Sequence, residues 1–236
     1  MTIALVPGQT AQNHVPTGSS LLVTLPNPPA AGNCLVACIG GHNANAVTSV
    51  TSAASADFWG TTAAVTASAG AETCEIWVDP GCASAATTVT CTVTNSGLVI
   101  MQVFEFAGVA ASSPVDVTAS ASSIVQATSW SSGSTGTAQA GDLIVGASCG
   151  FGGASAYTLT GPGSPWTDEA YIATSLSSIW VRLINGYQVL SGSGSATWSG
   201  TASQLQNWGA AAVALKAAGG GGGGGGSAGS FLPFFA

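Results

Sequence analysis

Cys34 and Cys38, four residues apart in AGNCLVACIG, could supply half of a zinc or redox site. The spacing argues against it. It is not C-x-x-C, no second pair follows, and His14 and His42 fall in predicted loops. The six cysteines (34, 38, 74, 82, 91 and 149) are therefore expected to be small apolar core residues of a chain made in a reducing cytosol. Hydrolysis of a glycosidic bond would need two carboxylates on rigid strands facing one cleft. Glu75 and Asp79 share a strand face with Trp77, Asp168 and Glu169 are adjacent and so point to opposite sides of a strand, and Glu105 lies on a face with Met101 and Val103. None of these spacings makes an acid–base pair. The chain also lacks a G-x-S-x-G elbow, a P-loop, an H-E-x-x-H helix and a glycine-rich dinucleotide turn, so it is expected to be no enzyme and to need no cofactor or metal.

Binding chemistry is more visible. In TCEIWVD the set Cys74, Ile76 and Val78 is expected to face a core, which turns Trp77 outward with Glu75 and Asp79. In SIWVRL the set Ile179, Val181 and Leu183 faces in and Trp180 points out beside Arg182. An indole on a polar face is either covered by another subunit or stacks on a sugar, and subunit packing is the preferred expectation for Trp77 and Trp180. The chain ends in GGGGGGGGSAGSFLPFFA. Gly219 to Gly226 reads as a flexible tether or, where several chains align, a polyglycine strand bundle; as a tether it can carry Phe231, Leu232, Pro233, Phe234 and Phe235 to a groove on a partner, with Pro233 lowering the entropy lost on docking.

The elements that must position these residues are strands. Charged residues make up only 5% of the 236, against about a quarter in an ordinary soluble domain. The two cations, Arg182 and Lys216, stand against nine acids, which excludes a nucleic-acid footprint and disfavours an anionic membrane surface. No apolar run is long enough to insert in a membrane, and MTIALVPGQT has no basic region or apolar stretch of secretory length, so no signal peptide is expected. Short runs rich in Val, Ile, Thr and aromatics are punctuated by Gly, Pro, Asn and Asp. The first half holds IALV, SLLVTL, NCLVACI, AVTSVT, TAAVTAS, TCEIWV, TTVTCTV and LVIMQVFEF, eight candidate strands.

The pattern then repeats. AGNCLVACIG at Ala31 has its echo in AGDLIVGASCG at Ala140, CEIWV in SSIWVR, TTVTCTV in SATWSG, and QVFEFAG in AVALKAA. On this alignment Cys34 and Cys38 match Leu143 and Ala147, and Glu105 matches Leu215. The expected fold is all-β: two tandem jelly-roll-like β-sandwich domains from an internal duplication, residues 1–112 and 113–218, followed by a polyglycine tail at 219–236. With so little charge to guard its sheet edges, the chain is expected to have neighbours that cover them.

Serine-, threonine- and glycine-rich tandem sandwiches with AGDLIVGAS strands, the joint FAGVAASSPVDVTAS (Phe106 to Ser120), a glycine run and a short Phe/Pro end resemble the minor tail or fibre-like virion proteins of tailed phages of mycobacteria and related actinobacteria. The resemblance implies a non-enzymatic component of the tail tip or fibre, present in several copies in the virion, whose partners are other virion proteins and copies of itself. Capsid decoration is the alternative within that class. A carbohydrate-binding adhesin, with a host-surface glycan stacked on Trp77 and Trp180, is the alternative from another class.

Overall fold

A computed structural model gives the fold of residues 2–219, except 44–45, 55–56, 71, 153–154, 170 and 177–178. The docking peptide Phe231, Leu232, Pro233, Phe234 and Phe235 lies outside the described residues. All regular structure among the described residues is strand. The first half contributes β1 (Ala4–Thr24), β2 (Cys34–His42), β3 (Val47–Ser52), β4 (Val65–Ala69), β5 (Glu72–Asp79) and β6 (Thr88–Ala107). The second contributes β7 (Val115–Ser134), β8 (Leu143–Phe151), β9 (Leu159–Thr160), β10 (Thr167–Asp168), β11 (Ile172–Leu176), β12 (Ile179–Val189) and β13 (Thr197–Leu215).

The expected eight strands of the first copy become six, because IALV joins SLLVTL in β1 and TTVTCTV joins LVIMQVFEF in β6. The polar stretches between those runs read as breaks, yet the backbone stays extended through them. Register shifts between Leu5 and Thr10 and between Val15 and Ser20 absorb the irregularity. Each long strand thereby serves two layers. The last residues of β1 and the first of β6, with β3, form an outer layer over a central one made by β2, β5 and the end of β6.

The two sheets have the same order. The first runs β1-β6-β2-β5-β4 with β3 also on β6; the second runs β7-β13-β8-β12 and then β10, with β11 also on β12 and β9 on β13. Their registers agree as well. Cys34 faces Phe106 and Leu35 faces Asp79 in the first sheet; Leu143 faces Leu215 and Ile144 faces Gln188 in the second, each residue 109 positions on. The duplication read from the sequence is thus present in the hydrogen-bonding pattern, with two matches corrected. The counterpart of Trp77 is Gly186, not Trp180, and that of Glu105 is Ala214, not Leu215.

Three apolar cores follow. One lies inside each half, and the third joins the halves face to face, with Cys34, Val36, Cys74, Ile76, Phe104 and Phe106 set against Leu143, Val145, Val181, Leu183 and Val213. At the edges of this seam β4 lies against β7 and β1 against β11, and the Ser122 hydroxyl donates to the Ser68 carbonyl. Gly40 packs directly on the Cys149 thiol, where any side chain would collide. These two residues are themselves 109 apart and equivalent. Equivalent residues touch each other only near a twofold axis, so the halves are related by a pseudo-twofold passing beside Gly40 and Cys149.

Candidate functional site

A strand in a sheet with one wet face hides alternate residues, and that is why Trp77 was expected on the outside. The structure corrects this. The layer containing β5 is covered on both sides, by the seam and by the core of its own half, so Cys74, Ile76 and Val78 enter the seam while Trp77 enters the other core at 1% exposure. Glu75 goes in with it. One of its carboxylate oxygens accepts from the Val47 amide at 3.1 Å and the Thr73 hydroxyl at 3.0 Å, and the other from Trp77 Nε1 at 2.8 Å. A carboxylate with both oxygens held this way is a fastener between β3 and β5.

The other acids are used similarly. Glu105 accepts from Gln9 Nε2 at 2.8 Å, the Ala30 amide at 2.8 Å and Asn33 Nδ2 at 2.6 Å, which ties the 25–33 loop to β6. Asp142, at the position equivalent to Asn33, accepts from the Gln139 amide at 3.0 Å and the Ala217 amide at 3.2 Å. Asp57 takes the Ala83 amide at 2.6 Å and the Ser52 hydroxyl. Asp79 differs: one oxygen reaches the Gly81 amide at 3.3 Å, the other has no partner, and burial pushes its pKa up; one oxygen of Asp116 is also buried without a partner, and burial raises the pKa of Glu169. The six thiols are all buried and reduced, and burial raises Cys34, Cys38 and Cys149 well above the ordinary thiol range. No cluster of three His, Cys, Asp or Glu suited to a metal ion occurs among the described residues.

Trp180 is half-buried at the start of β12. Its ring is occupied by the chain itself, since the Arg182 guanidinium sits 5.3 Å from the Trp180 ring centre, 5.2 Å from that of Tyr157 and 5.0 Å from that of Tyr171. Arg182 is only 5% exposed, and the three rings supply the attraction that a carboxylate would otherwise give, with about 0.5–2 kcal/mol for each cation–π contact. Trp77 and Trp180 are therefore not brought together: Trp77 is buried, and Trp180 is half-buried beside Arg182.

Two of the concavities formed by the described residues adjoin side chains already named. A cleft of about 370 Å³ is walled by Thr62, Thr66, Ser68, Glu72 and Thr73, with Trp77 and Glu75 at its inner end. Glu72 is paired with His42 at 3.1 Å. The cleft offers hydroxyls for a small neutral polyol and no free acid–base pair. The second is apolar, about 440 Å³, and lies at the junction of the halves between Phe58, Trp59, Val78, Pro80, Pro114 and Val115. The loop DFWG that supplies its aromatic wall was not singled out in the sequence, although adjacent Phe and Trp in a predicted loop are the kind of signal that marks an interaction surface. Compared with protein-family models, curated proteins and solved structures, the chain matches none.

Proposed function

We propose that this protein is a non-enzymatic structural component of a phage virion, in the manner of a minor tail or fibre protein, and that it acts by packing against copies of itself and other virion proteins. Two long sheet edges carry the proposal. β1 and β7, of 21 and 20 residues, each pair on one side within their own sheet and contain a single formal charge between them, at Asp116. Proteins that stay alone place Lys, Pro or inward charges on such edges; β1 has Pro7 and Pro16, whereas β7 has no Lys or Pro and carries Ile124 and Val125, 68% and 74% exposed, at an irregular step in its pairing with β13. Exposed apolar residues on an edge with a single charge, Asp116, suit an assembly in which neighbours cover them.

The tail completes the picture as an arm that reaches a neighbour. Removal of residues 219–236 is expected to leave both halves folded by circular dichroism while the chain disappears from purified particles, as read by mass spectrometry of the particles. Normal copy number for the shortened chain would overturn the proposal. The hydroxyl-walled cleft favours glycan binding as a second role. Saturable binding of cell-wall oligosaccharide that is lost with Thr66→Val and Ser68→Ala would support it, and unchanged binding in that variant would remove it.

A further inference from the structure

The apolar groove at the junction lies where the described chain ends. Residues 108–114 pair with the stretch that follows β13: Val109 bridges Ala217, the Ala110 amide donates to the Lys216 carbonyl at 2.9 Å, the Lys216 amide to the Pro114 carbonyl at 2.8 Å, and the Ala218 amide to the Gly108 carbonyl at 2.7 Å. The groove is lined by residues 111–115 of this same segment, so the point where the tail departs and the groove share one end of the molecule. Lys216 reinforces that rim, its ammonium donating to the carbonyl of Ser113, which holds a left-handed backbone with φ 47°.

The groove has properties that select its occupant. None of its lining residues is charged. Phe58 stands 70% exposed at its margin, an orphan aromatic of a size that normally finds a partner. Trp59, 4% exposed, lines the groove beside it. FLPFFA, at 231–236, has no charged side chain and offers three phenyl rings and a proline, which has no amide N–H to desolvate. Twelve residues, Gly219 to Ser230, separate it from the last pairing, a length of chain that can reach at most about 40 Å.

We infer that the groove at Phe58 and Trp59 is the acceptor for the segment Phe231–Phe235 of a second copy of this chain, so that two copies meeting end to end exchange tails. The inference rests on the tail-to-neighbour proposal above and names its docking site. Because tail and acceptor occupy the same end, a twofold arrangement lets both copies give and receive at once, the geometry of reciprocal arm exchange.

The test uses three full-length chains: the native one, a tail variant (Phe231→Ser, Phe234→Ser, Phe235→Ser) and a groove variant (Phe58→Ala, Ala111→Glu), whose changes fall at exposed positions and spare the cores. A synthetic peptide of residues 227–236 is expected to bind the tail variant, and about tenfold more weakly when the groove substitutions are added. In sedimentation velocity the native chain associates, whereas the groove and tail variants stay monomeric. A groove variant that associates like the native chain overturns the docking site while leaving the tail-to-neighbour proposal standing. If the tail variant associates like the native chain, that proposal falls too. A native chain that is monomeric and refuses the peptide, while the tail variant accepts it, places the segment in its own groove and overturns the exchange.

Discussion

The two halves of the molecule keep the same strand order and register, and they differ most in how they fill their private cores. Position 77 in the first half is a tryptophan; its counterpart, Gly186, is bare, and Trp198 from the outer part of β13 covers both Gly186 and Gly146. A Cβ at Gly186 would come within 2.8 Å of that indole. The large side chain has changed layers while the space it fills has been kept, as close packing requires. The polar fasteners differ too. Glu75 and Glu105 hold the first half together through buried hydrogen bonds, whereas the equivalent Ile184 and Ala214 in the second are simply packed. The seam, by contrast, is largely apolar among the described residues, with a buried pair in it, Asn185 Nδ2 donating to Gln102 Oε1 at 2.8 Å. What duplication must preserve is the face shared by the copies; each private core is free to find its own solution.

The contrast between the tryptophans gives the largest expected effects. Trp77→Ala removes a buried ring and also strands a carboxylate oxygen of Glu75, so it is expected to cost about 5 kcal/mol in urea unfolding. Trp198 makes no hydrogen bond through its indole nitrogen, and Trp198→Ala should cost less, about 3–4 kcal/mol. An equal or reversed order would mean that the Glu75 fastener contributes nothing. Next comes the axis. Gly40→Cys places a second thiol against Cys149 and is expected to cost about 2–3 kcal/mol, while adding Cys149→Gly exchanges two equivalent residues and restores most of it. Additive losses in the double variant would break the pseudo-twofold.

The smallest effect tests charge. Asp79 has neutral Gln188 as its counterpart, and burial raises its folded pKa above the unfolded value. Its ionisation therefore opposes folding: stability is highest below the ordinary aspartate pKa, falls as pH rises through the interval up to the raised folded value, and is level above it. Asp79→Asn should raise the melting temperature slightly at pH 7 and leave it unchanged near pH 3. A variant that is less stable than the parent at pH 7 would show that the ionised carboxylate is favoured where it stands.

Much of the fold was legible because the central strands carry it in their composition. LVIMQVFEF and CLVACI alternate too little for a strand with one wet face, and the paired AG turns mark a repeat of about 105 residues, whose register of 109 comes from the backbone pairing. The orientation of Trp77 was not legible. Alternation tells which residues share a face, not whether the second face also meets a layer, and Glu75 and Asp79 beside the tryptophan imitate a solvated rim. The Trp77–Trp180 match failed for a related reason. The IWV triplets look alike, but 103 positions separate them, and only backbone pairing shows that β12 overhangs β8 at Trp180. Glu105, Asn33 and Gln9 form a three-point fastener across distant segments, and no local spacing announces such a group.

The central claim, that this chain is completed by its neighbours through its tail, is tested most directly by native mass spectrometry of the full-length protein over a range of concentrations. The account predicts a concentration-dependent oligomer that vanishes when Phe231, Phe234 and Phe235 are replaced by serine. A full-length chain that remains monomeric at every concentration would contradict it.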